Sequence, residues 1–337
     1  MQLDTVREIK QAWMSRVLPS DLDTEFDPGV RPVRTAAGGA RPRGRVAAVG
    51  PVALGAAPAG SGYALAVRYR HDGPLVARLV ERLREEVGAG EVEVRGIGAV
   101  RPFSEPAGPP TAAVLRGRLR PLVPGCSICH EADTAGTLGT VVRRGQERLL
   151  LSNAHVLARS GLATLGDPVW QPGPADGGTA RDRVGSLEGW APLSADAPNT
   201  VDAAVARLDD GIEADGSGSP TVTAALAGDE LVEKLGCTTG FTSGRVTAIE
   251  VDDVVVDYGD DVGPLRFDGQ IEVSGTGGAF SLGGDSGSLV RLADDGPAVG
   301  LLYAGSERGG PDGTGLTFCN DIATVLDALG VVLDGAG

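Results

Sequence analysis

The 337-residue sequence is poor in aromatic residues, cysteine and histidine. Aromatic side chains make up only 4% of the chain, against 42% for all hydrophobic residues, so its cores must be built from aliphatic side chains. Four cysteines are too few to suggest a disulfide scaffold in a chain of this length. The three histidines, His71, His130 and His155, leave few candidates for chemistry that needs an imidazole.

Long apolar runs and an excess of positive charge are also missing. No uninterrupted apolar segment reaches the roughly 20 residues that a membrane-spanning helix needs, and residues 1–8 lack the apolar centre of a secretory signal. The formal net charge of −15 argues against general nucleic-acid binding. We therefore expect a soluble cytoplasmic protein that binds neither membranes nor nucleic acids.

Glycine and proline are abundant, with 52 and 22 residues, which favours a turn-rich, mainly β protein. From residue 121 onward, short apolar segments alternate with turns at the spacing of antiparallel strands. They predict two six-stranded antiparallel β-barrels, over residues 121–215 and 216–337, the second of which ends in a helix at 321–329.

Three segments precede the predicted barrels. Residues 1–26 contain an amphipathic helix with one apolar stripe from Val6 to Val17. Such a helix docks either on a partner, including a second copy of the chain, or on its own domain. Residues 27–60, rich in Pro, Gly, Ala and Arg, are typical of a linker. Residues 61–120 alternate strand, helix and strand, which predicts a small α/β module.

A serine flanked by glycines follows an aspartate in the segment 283–288, Gly-Gly-Asp-Ser-Gly-Ser. Glycines permit a tight turn and the close approach of a substrate carbonyl. Such a turn can aim the backbone N–H groups of Gly284 and Ser286 at one point, which would form an oxyanion hole. Ser286 is therefore a candidate acyl-transfer nucleophile, although the same composition is common in ordinary turns.

Two other segments supply what a serine nucleophile needs. A serine hydroxyl is a weak nucleophile until a base accepts its proton, and His155, in the Ser-Asn-Ala-His-Val segment 152–156, is the natural base. His130 is the competing candidate, with a structural hydrogen-bonding role as its other interpretation. Asp202 opens an apolar stretch and would orient the histidine, unless it is an ordinary turn aspartate. The order His, Asp, Ser is that of chymotrypsin-type enzymes.

These segments resemble the trypsin-like serine peptidases, and most of all their bacterial HtrA-type branch, in which S/T-N-x-H-V precedes D-x-A-V. A narrower similarity, to the narrow-leaf-type group of these peptidases, rests on residues 124–130, 134–139, 235–240 and 322–331. The resemblance implies a serine endopeptidase with a triad of His155, Asp202 and Ser286, no cofactor, and protein or peptide substrates. It also implies that Asp285 is structural and that no activating cut is required.

The same resemblance places the substrate pocket on two segments near the nucleophile. These comprise Phe280, Ser281, Leu282 and Gly283 before Ser286, and Tyr303, Ala304 and Gly305 on a later strand that would pair with the substrate backbone. Relatives that cut after Lys or Arg carry an acid six residues before the nucleophile, where this chain has Phe280. We therefore expect cleavage after small to medium aliphatic residues.

Other functions remain open on the sequence alone. A catalytically silent protease fold could serve as a peptide-binding or assembly scaffold, although a scaffold has no use for an intact triad. A non-proteolytic acyl hydrolase could use the same machinery. The segment 126–130 matches the C-x-x-C-H pattern of haem attachment, but that reaction needs export, so two packed thiols are favoured over haem or a redox or metal pair. No metal site is predicted.

Overall fold

The computed structural model describes residues 1–17, 52–102, 112–310 and 313–334. Its α-helices are α1 (Leu3–Val17), α2 (Pro74–Val87), α3 (Ala113–Arg116), α4 (Ala154–Leu157) and α5 (Ile322–Leu329). None of these described helices is long and apolar enough to cross a membrane. Most of the predicted linker, residues 27–51, lies outside the described residues.

Strands dominate the structure, which confirms the mainly β fold class. In chain order they are β1 (Val52–Ala59), β2 (Gly62–Tyr69), β3 (Val92–Gly96), β4 (Val100–Pro102), β5 (Ser127–His130), β6 (Gly136–Thr137), β7 (Thr140–Arg144), β8 (Glu147–Ser152), β9 (Pro168–Trp170), β10 (Arg183–Trp190), β11 (Ala204–Leu208), β12 (Leu231–Gly236), β13 (Gly240–Asp252), β14 (Val254–Asp257), β15 (Pro264–Phe267), β16 (Gln270–Gly275), β17 (Leu289–Leu292), β18 (Ala298–Ser306), β19 (Thr317–Asp321) and β20 (Val332–Leu333).

Six strands of the C-terminal half close into an antiparallel barrel. Going round it, the order is β12, β13, β16, β19, β18 and β17, and β17 pairs back with β12. Aliphatic side chains fill its interior, among them Val232, Val246, Val273 and Val290. This barrel matches the prediction for the second half of the chain.

The other sheet forms a half-barrel, which corresponds to the first of the two predicted barrels. Its order is β20-β7-β8-β11-β10-β9-β5-β6, and within the described residues β20 and β6 are its two ends. The short strand β6 is also bonded to the closed barrel's part of the chain: Thr137 N donates to Ser286 O at 2.7 Å. β20 was not predicted as a strand; it lies in the segment 216–337 assigned to the second barrel, but it pairs with β7 in this sheet.

The N-terminal residues extend the closed barrel. β1 pairs with β2 on one side and with barrel strand β13 on the other, so the predicted linker ends before residue 52 and not at 60. Both faces of β1 are buried, which favours its small residues: Gly55 leaves room for Val251, whose Cγ2 would lie 2.8 Å from an added Cβ. Val6 and Trp13 of α1 are buried within the chain, so the apolar stripe packs on its own domain.

One buried ion pair ties this N-terminal module to the barrel. Arg68 on β2 donates to both carboxylate oxygens of Glu272 on β16, at 2.6 and 2.9 Å, and also to Glu93 at 2.8 Å. Burial opposes both charges, yet the pairing raises the pKa of Arg68 and lowers that of Glu272. A paired bidentate contact of this kind fixes the two elements in one arrangement.

Candidate active site

Two neighbouring strand ends bring His155 and Asp202 together. β8 and β11 pair with Ser152 opposite Ala204, so the helix α4 that follows β8 starts beside the residues that precede β11. His155 Nδ1 lies 2.6 Å from Asp202 Oδ2, and the His155 backbone N–H donates to Oδ1 at 3.1 Å. Asn153 at the start of α4 donates to the Asp202 carbonyl at 2.7 Å. The local sequence around the two motifs therefore builds the pair.

Asp202 is fully buried and makes further hydrogen bonds with Tyr258 and Asn320. Tyr258, in the hairpin between β14 and β15, donates to Oδ2 at 2.6 Å. The Asp202 N–H donates to Asn320 Oδ1 at 2.9 Å. Burial opposes ionisation, but the charge of His155 and the hydrogen bonds from His155 and Tyr258 outweigh it, so the pKa of Asp202 is lowered. Burial and the adjacent Asp202 carboxylate raise the pKa of Tyr258.

Ser286 sits at the tip of a tight turn that leads into β17. Gly284 and Gly287 on either side adopt φ angles of +93° and +95°, in the left-handed region that glycine tolerates. A Cβ at position 287 would lie 2.1 Å from Ser152 Oγ, so glycine is also needed for close packing against the other sheet. The buried Ser286 hydroxyl donates to the carbonyl of Tyr303 at 3.2 Å.

The proton acceptor and the predicted oxyanion donors are unengaged. His155 Nε2 is buried and has no hydrogen-bond partner within the described residues, so the structure joins His155 to Asp202 and leaves Ser286 bonded elsewhere. The backbone N–H groups of Gly284 and Ser286 likewise donate to no acceptor in the part of the chain that the structure describes. Within the described residues, one acceptor and two donors in these segments are thus without partners.

Asp285 is at the centre of the nucleophile turn. Its buried carboxylate accepts from the backbone of Thr238, Thr239 and Leu282 at 2.9, 3.1 and 3.0 Å, and lies 3.4 Å from Lys234 Nζ. Both side chains are fully buried. Burial lowers the pKa of Lys234, and the Asp285 carboxylate partly offsets that effect. Sequence reasoning assigned Asp285 a structural role but missed Lys234.

His130 and the cysteines occupy structural positions. His130 Nε2 lies 3.1 Å from Asp167 Oδ2, and its Nδ1 accepts from Ala132 N at 3.0 Å, so its ring closes a local turn. Cys126 and Cys129 are buried free thiols, and burial raises the pKa of Cys126 to about 12. The described residues contain no group of three or more His, Cys, Asp or Glu side chains placed to hold a metal ion.

The structure gives several predicted pocket residues other roles. The Phe280 ring is 3% exposed, packs in the barrel core and lies 5.9 Å from Lys234 Nζ, so it cannot also form an open pocket wall. Tyr303 is buried against Phe267, with ring centroids 4.9 Å apart. Ser281 Oγ pairs with Thr317 Oγ1 at 2.6 Å. The expected preference for aliphatic residues, which relied on Phe280 and Leu282 as apolar walls, therefore loses the first of these two supports.

Leu282 and Gly283, the other two predicted pocket residues before the nucleophile, are only partly buried. A cavity of about 390 Å³ opens elsewhere, beside His155. Its walls include Asp133 and Tyr258 as well as His155. Sequence reasoning did not anticipate this space, because its walls come from distant segments.

Ala304 and Gly305 were predicted to lie on the strand that pairs with the substrate backbone. Both are on β18, but their edge is already occupied: Ala304 lies opposite Pro102 and Gly305 opposite Arg101 of β4. β4 also has β14 on its other side, where Val100 pairs with Val256. The N-terminal part of the chain thus reaches the immediate surroundings of Ser286.

No family model and no curated protein matches the chain. Among solved structures it is similar to a glutamic acid-specific serine protease, at 24% identity and a TM-score of 0.46, over 63% of this chain and 100% of that one. It is also similar to Protease A of Thermobifida fusca, at 19% identity and a TM-score of 0.43, over 63% and 97% of the two chains. An alpha-lytic protease homologue, N4, aligns at 21% identity and a TM-score of 0.44, over 63% and 98%.

Proposed function

We propose that the protein is a serine endopeptidase in which Ser286 is the nucleophile, His155 the general base and acid, and Asp202 the group that orients His155. One observation carries the proposal: Nδ1 of His155 is fixed by a buried carboxylate at 2.6 Å, while Nε2 of the same ring has no partner among the described residues. An imidazole held in this way presents Nε2 as a proton acceptor.

The reaction begins when the Ser286 hydroxyl exchanges its acceptor, from the Tyr303 carbonyl to His155 Nε2. Oγ then bonds to the substrate carbonyl carbon as its proton passes to Nε2, and the N–H groups of Gly284 and Ser286 stabilise the oxyanion. Nε2–H next protonates the leaving amine while the C–N bond breaks, which leaves an acyl-enzyme. Water repeats both steps: its proton goes to Nε2 as its oxygen bonds to the acyl carbon. The bond from that carbon to Oγ then breaks, Nε2–H returns the proton to Ser286, and the carboxylic acid leaves.

Asp202 remains ionised through this cycle. Its lowered pKa and its buried contacts with His155 and Tyr258 support a fixed negative charge beside the ring. That charge stabilises the imidazolium that forms when His155 Nε2 takes the proton. The contact also selects the tautomer that carries its hydrogen on Nδ1, which is the tautomer that leaves Nε2 free to accept.

A narrower relationship is part of the proposal. The segments Ser-Asn-Ala-His-Val at 152–156 and Asp-Ala-Ala-Val at 202–205 support membership of the HtrA-type branch, and residues 124–139 support the narrow-leaf-type group within it. We further propose protein or peptide substrates and a cytoplasmic location, both on the sequence features already described.

The test uses a fluorophosphonate probe, which reacts with activated serines. The wild-type chain should be labelled, Ser286→Ala should not, and Ser274→Ala should be labelled like the wild type. Ser274 is a suitable control because it is a buried serine of the same barrel whose hydroxyl has no partner in the described structure. Persistent labelling of Ser286→Ala would refute the assignment.

Substrate class is settled by mass spectrometry of a peptide library incubated with the enzyme. Cleaved peptides support an endopeptidase. Labelling and turnover of small esters without any cleaved peptide would favour a non-proteolytic acyl hydrolase. No labelling and no turnover in the folded wild-type chain would favour a catalytically silent scaffold.

A further inference from the structure

β4 fills an edge of β18 that would otherwise be open beside the nucleophile. On this edge β17 pairs with β18 only as far as Leu301, and Leu302 exchanges hydrogen bonds with the nucleophile turn, to Ser288 O at 3.0 Å and from Gly287 N at 2.8 Å. The opposite edge of β18 belongs to β19. From Ala304 to Ser306 the first edge is taken by residues 100–102.

That edge is where an extended peptide would bind. The Tyr303 carbonyl already accepts the Ser286 hydroxyl, so the edge starts at the reacting atom. A peptide whose scissile carbonyl reaches Ser286 can gain main-chain hydrogen bonds by adding a strand along Ala304–Ser306. β4 offers β18 this same kind of antiparallel partner, so β4 and a substrate peptide compete for one set of backbone groups.

The sequence of β4 is compatible with pairing to the edge of β18, because its proline falls at a pair that forms no ladder hydrogen bond. Glu307 N donates to Ala99 O at 3.2 Å, and hydrogen-bonded pairs alternate along an antiparallel ladder. Arg101 and Gly305 are therefore the next hydrogen-bonded pair, and Pro102 lies opposite Ala304 where its missing N–H costs no ladder bond.

β4 is also held in place locally. Val100 is 1% exposed and packs in the core with Tyr303 and Phe318. The preceding module is bound to the barrel through β1 and β13 and through the buried pair of Arg68 and Glu272. A competitor tethered in this way has a high effective concentration at the edge that it occupies.

We propose that β4 is an intramolecular competitor that keeps the peptide-binding edge of β18 closed, so that an extended substrate must first displace residues 100–102. This inference rests on the proposed peptidase function and adds its regulation. It adds to the expectation that no activating cut is required: the intact chain acts on an extended peptide only after that peptide has displaced β4. Small reagents that reach Ser286 without adding a strand to β18 do not have to displace β4.

The experiment compares two changes at one residue. Arg101→Pro removes the N–H that Arg101 offers to Gly305, while Arg101→Ala keeps that N–H and removes only the side chain. The side chain is 61% exposed and makes one long ion pair, with Glu307 at 3.8 Å, which contributes little. Thermal unfolding of both variants and of the wild type shows whether each protein is folded. The intact mass of each protein shows whether its chain has been cleaved.

We expect Arg101→Pro to lower KM for a peptide with four residues on the acyl side by about five- to tenfold, the effect of weakening the closed state by one hydrogen bond. kcat, and the rate of labelling by a small fluorophosphonate, should change by less than about twofold. Arg101→Ala should retain the wild-type KM. If both variants and the wild type label and cleave with the same KM, the competitor proposal is wrong while the peptidase proposal stands.

If Arg101→Pro does not fold, the competitor proposal can be tested on the wild-type chain alone, by varying the length of the substrate. Extending a substrate from two to four residues on the acyl side should raise kcat/KM by less than about threefold, because β4 already holds the backbone groups that the added residues would use. A gain of about thirtyfold or more would show an open edge and overturn the inference. Absence of labelling and of cleavage in the wild type would overturn the peptidase proposal and this inference together.

Discussion

Tyr258 donates its phenolic hydrogen to Asp202 Oδ2 at 2.6 Å, the same oxygen that faces His155 Nδ1 at 2.6 Å. The Tyr258 ring also lies edge-on to the His155 ring, with centroids 6.1 Å apart and an interplanar angle of 69°. Because Asp202 is fully buried, each donor to it fixes both its charge and its direction. Tyr258 therefore acts on the base through the carboxylate and through the ring.

Replacing Tyr258 with Phe removes that hydrogen bond and keeps the ring. We expect kcat/KM to fall about tenfold, since a hydrogen bond to a charged group contributes about 1.5–3 kcal/mol and some of it is recovered by relaxation. Loss of a donor that lowers the pKa of Asp202 must raise that pKa. The Asp202 carboxyl should therefore take up its proton at a higher pH in the variant, as an NMR titration of the aspartate carboxyls in both proteins would show.

Tyr303→Phe is the matched comparison for this prediction. The Tyr303 hydroxyl is buried and has no hydrogen-bond partner within the described residues. Its removal should leave the free energy of unfolding unchanged or slightly higher, and most of the activity should remain. Equal losses of activity in Tyr258→Phe and Tyr303→Phe would mean that Tyr258 acts only as a bulky neighbour.

The two buried or half-buried histidines should respond very differently to mutation. His155→Ala removes the proposed base, and kcat should fall by about 10³-fold or more because triad members act as a unit. His130→Ala breaks only the contacts with Asp167 and Ala132. It should lower the melting temperature while kcat in the folded protein stays within about threefold of the wild type, measured below the transition. An equal loss of kcat would place His130 in the mechanism.

The parts of the site that the sequence predicts are those built from local segments. His155 and Asp202 follow and precede paired strands, so the motifs on β8 and β11 suffice to bring them together. The turn around Ser286 likewise carries its own glycines. In the same way, apolar spacing predicts the last helix over 321–329, within one residue of the observed Ile322–Leu329.

The parts that the sequence does not predict depend on tertiary contacts. β1 is composed largely of Ala, Gly and Pro and becomes a strand because both of its faces are covered. Tyr258 meets Asp202 across 56 residues of sequence, and nothing in the turn Asp-Tyr-Gly marks that contact. Lys234 left only a weak signal: the chain has two lysines, and this one stands beside Glu233 in the strand Leu-Val-Glu-Lys-Leu-Gly.

Stability in acid should depend on Glu272. Burial disfavours its charge, but Arg68 holds the pKa of Glu272 below its ordinary value of 4.5. A carboxyl whose pKa is depressed on folding contributes stability that is present above the unfolded value and is lost as the pH falls through the folded one. Glu272→Gln should therefore cost about 3–5 kcal/mol near neutral pH, because it leaves Arg68 buried without its main partner.

That cost should shrink as the pH falls below 4.5, the ordinary value, because the unfolded chain then takes up a proton that the folded carboxylate of Glu272 still resists. Urea unfolding of both proteins at several pH values measures it. The surface pair of Arg245 and Asp229, with side chains 43% and 66% exposed, supplies a control: Asp229→Asn should cost less than about 1 kcal/mol at any pH. A cost for Glu272→Gln that does not vary with pH would show that charge is not the cause.

Lys234 is expected to hold the nucleophile turn together through Asp285. Lys234→Met removes the cation and leaves a fully buried carboxylate, so the free energy of unfolding should fall by about 3–5 kcal/mol. Adding Asp285→Asn removes that charge, and the double variant should be less destabilised than the sum of the two single variants by about 0.5–3 kcal/mol. Urea unfolding of all four proteins gives this coupling.

The peptide N–H groups of Thr238, Thr239 and Leu282 also contact Asp285. If these three N–H groups alone compensate the Asp285 charge, Lys234→Met will cost less than about 1 kcal/mol and its effect will add to that of Asp285→Asn. That result would show that the role assigned to Lys234 is wrong.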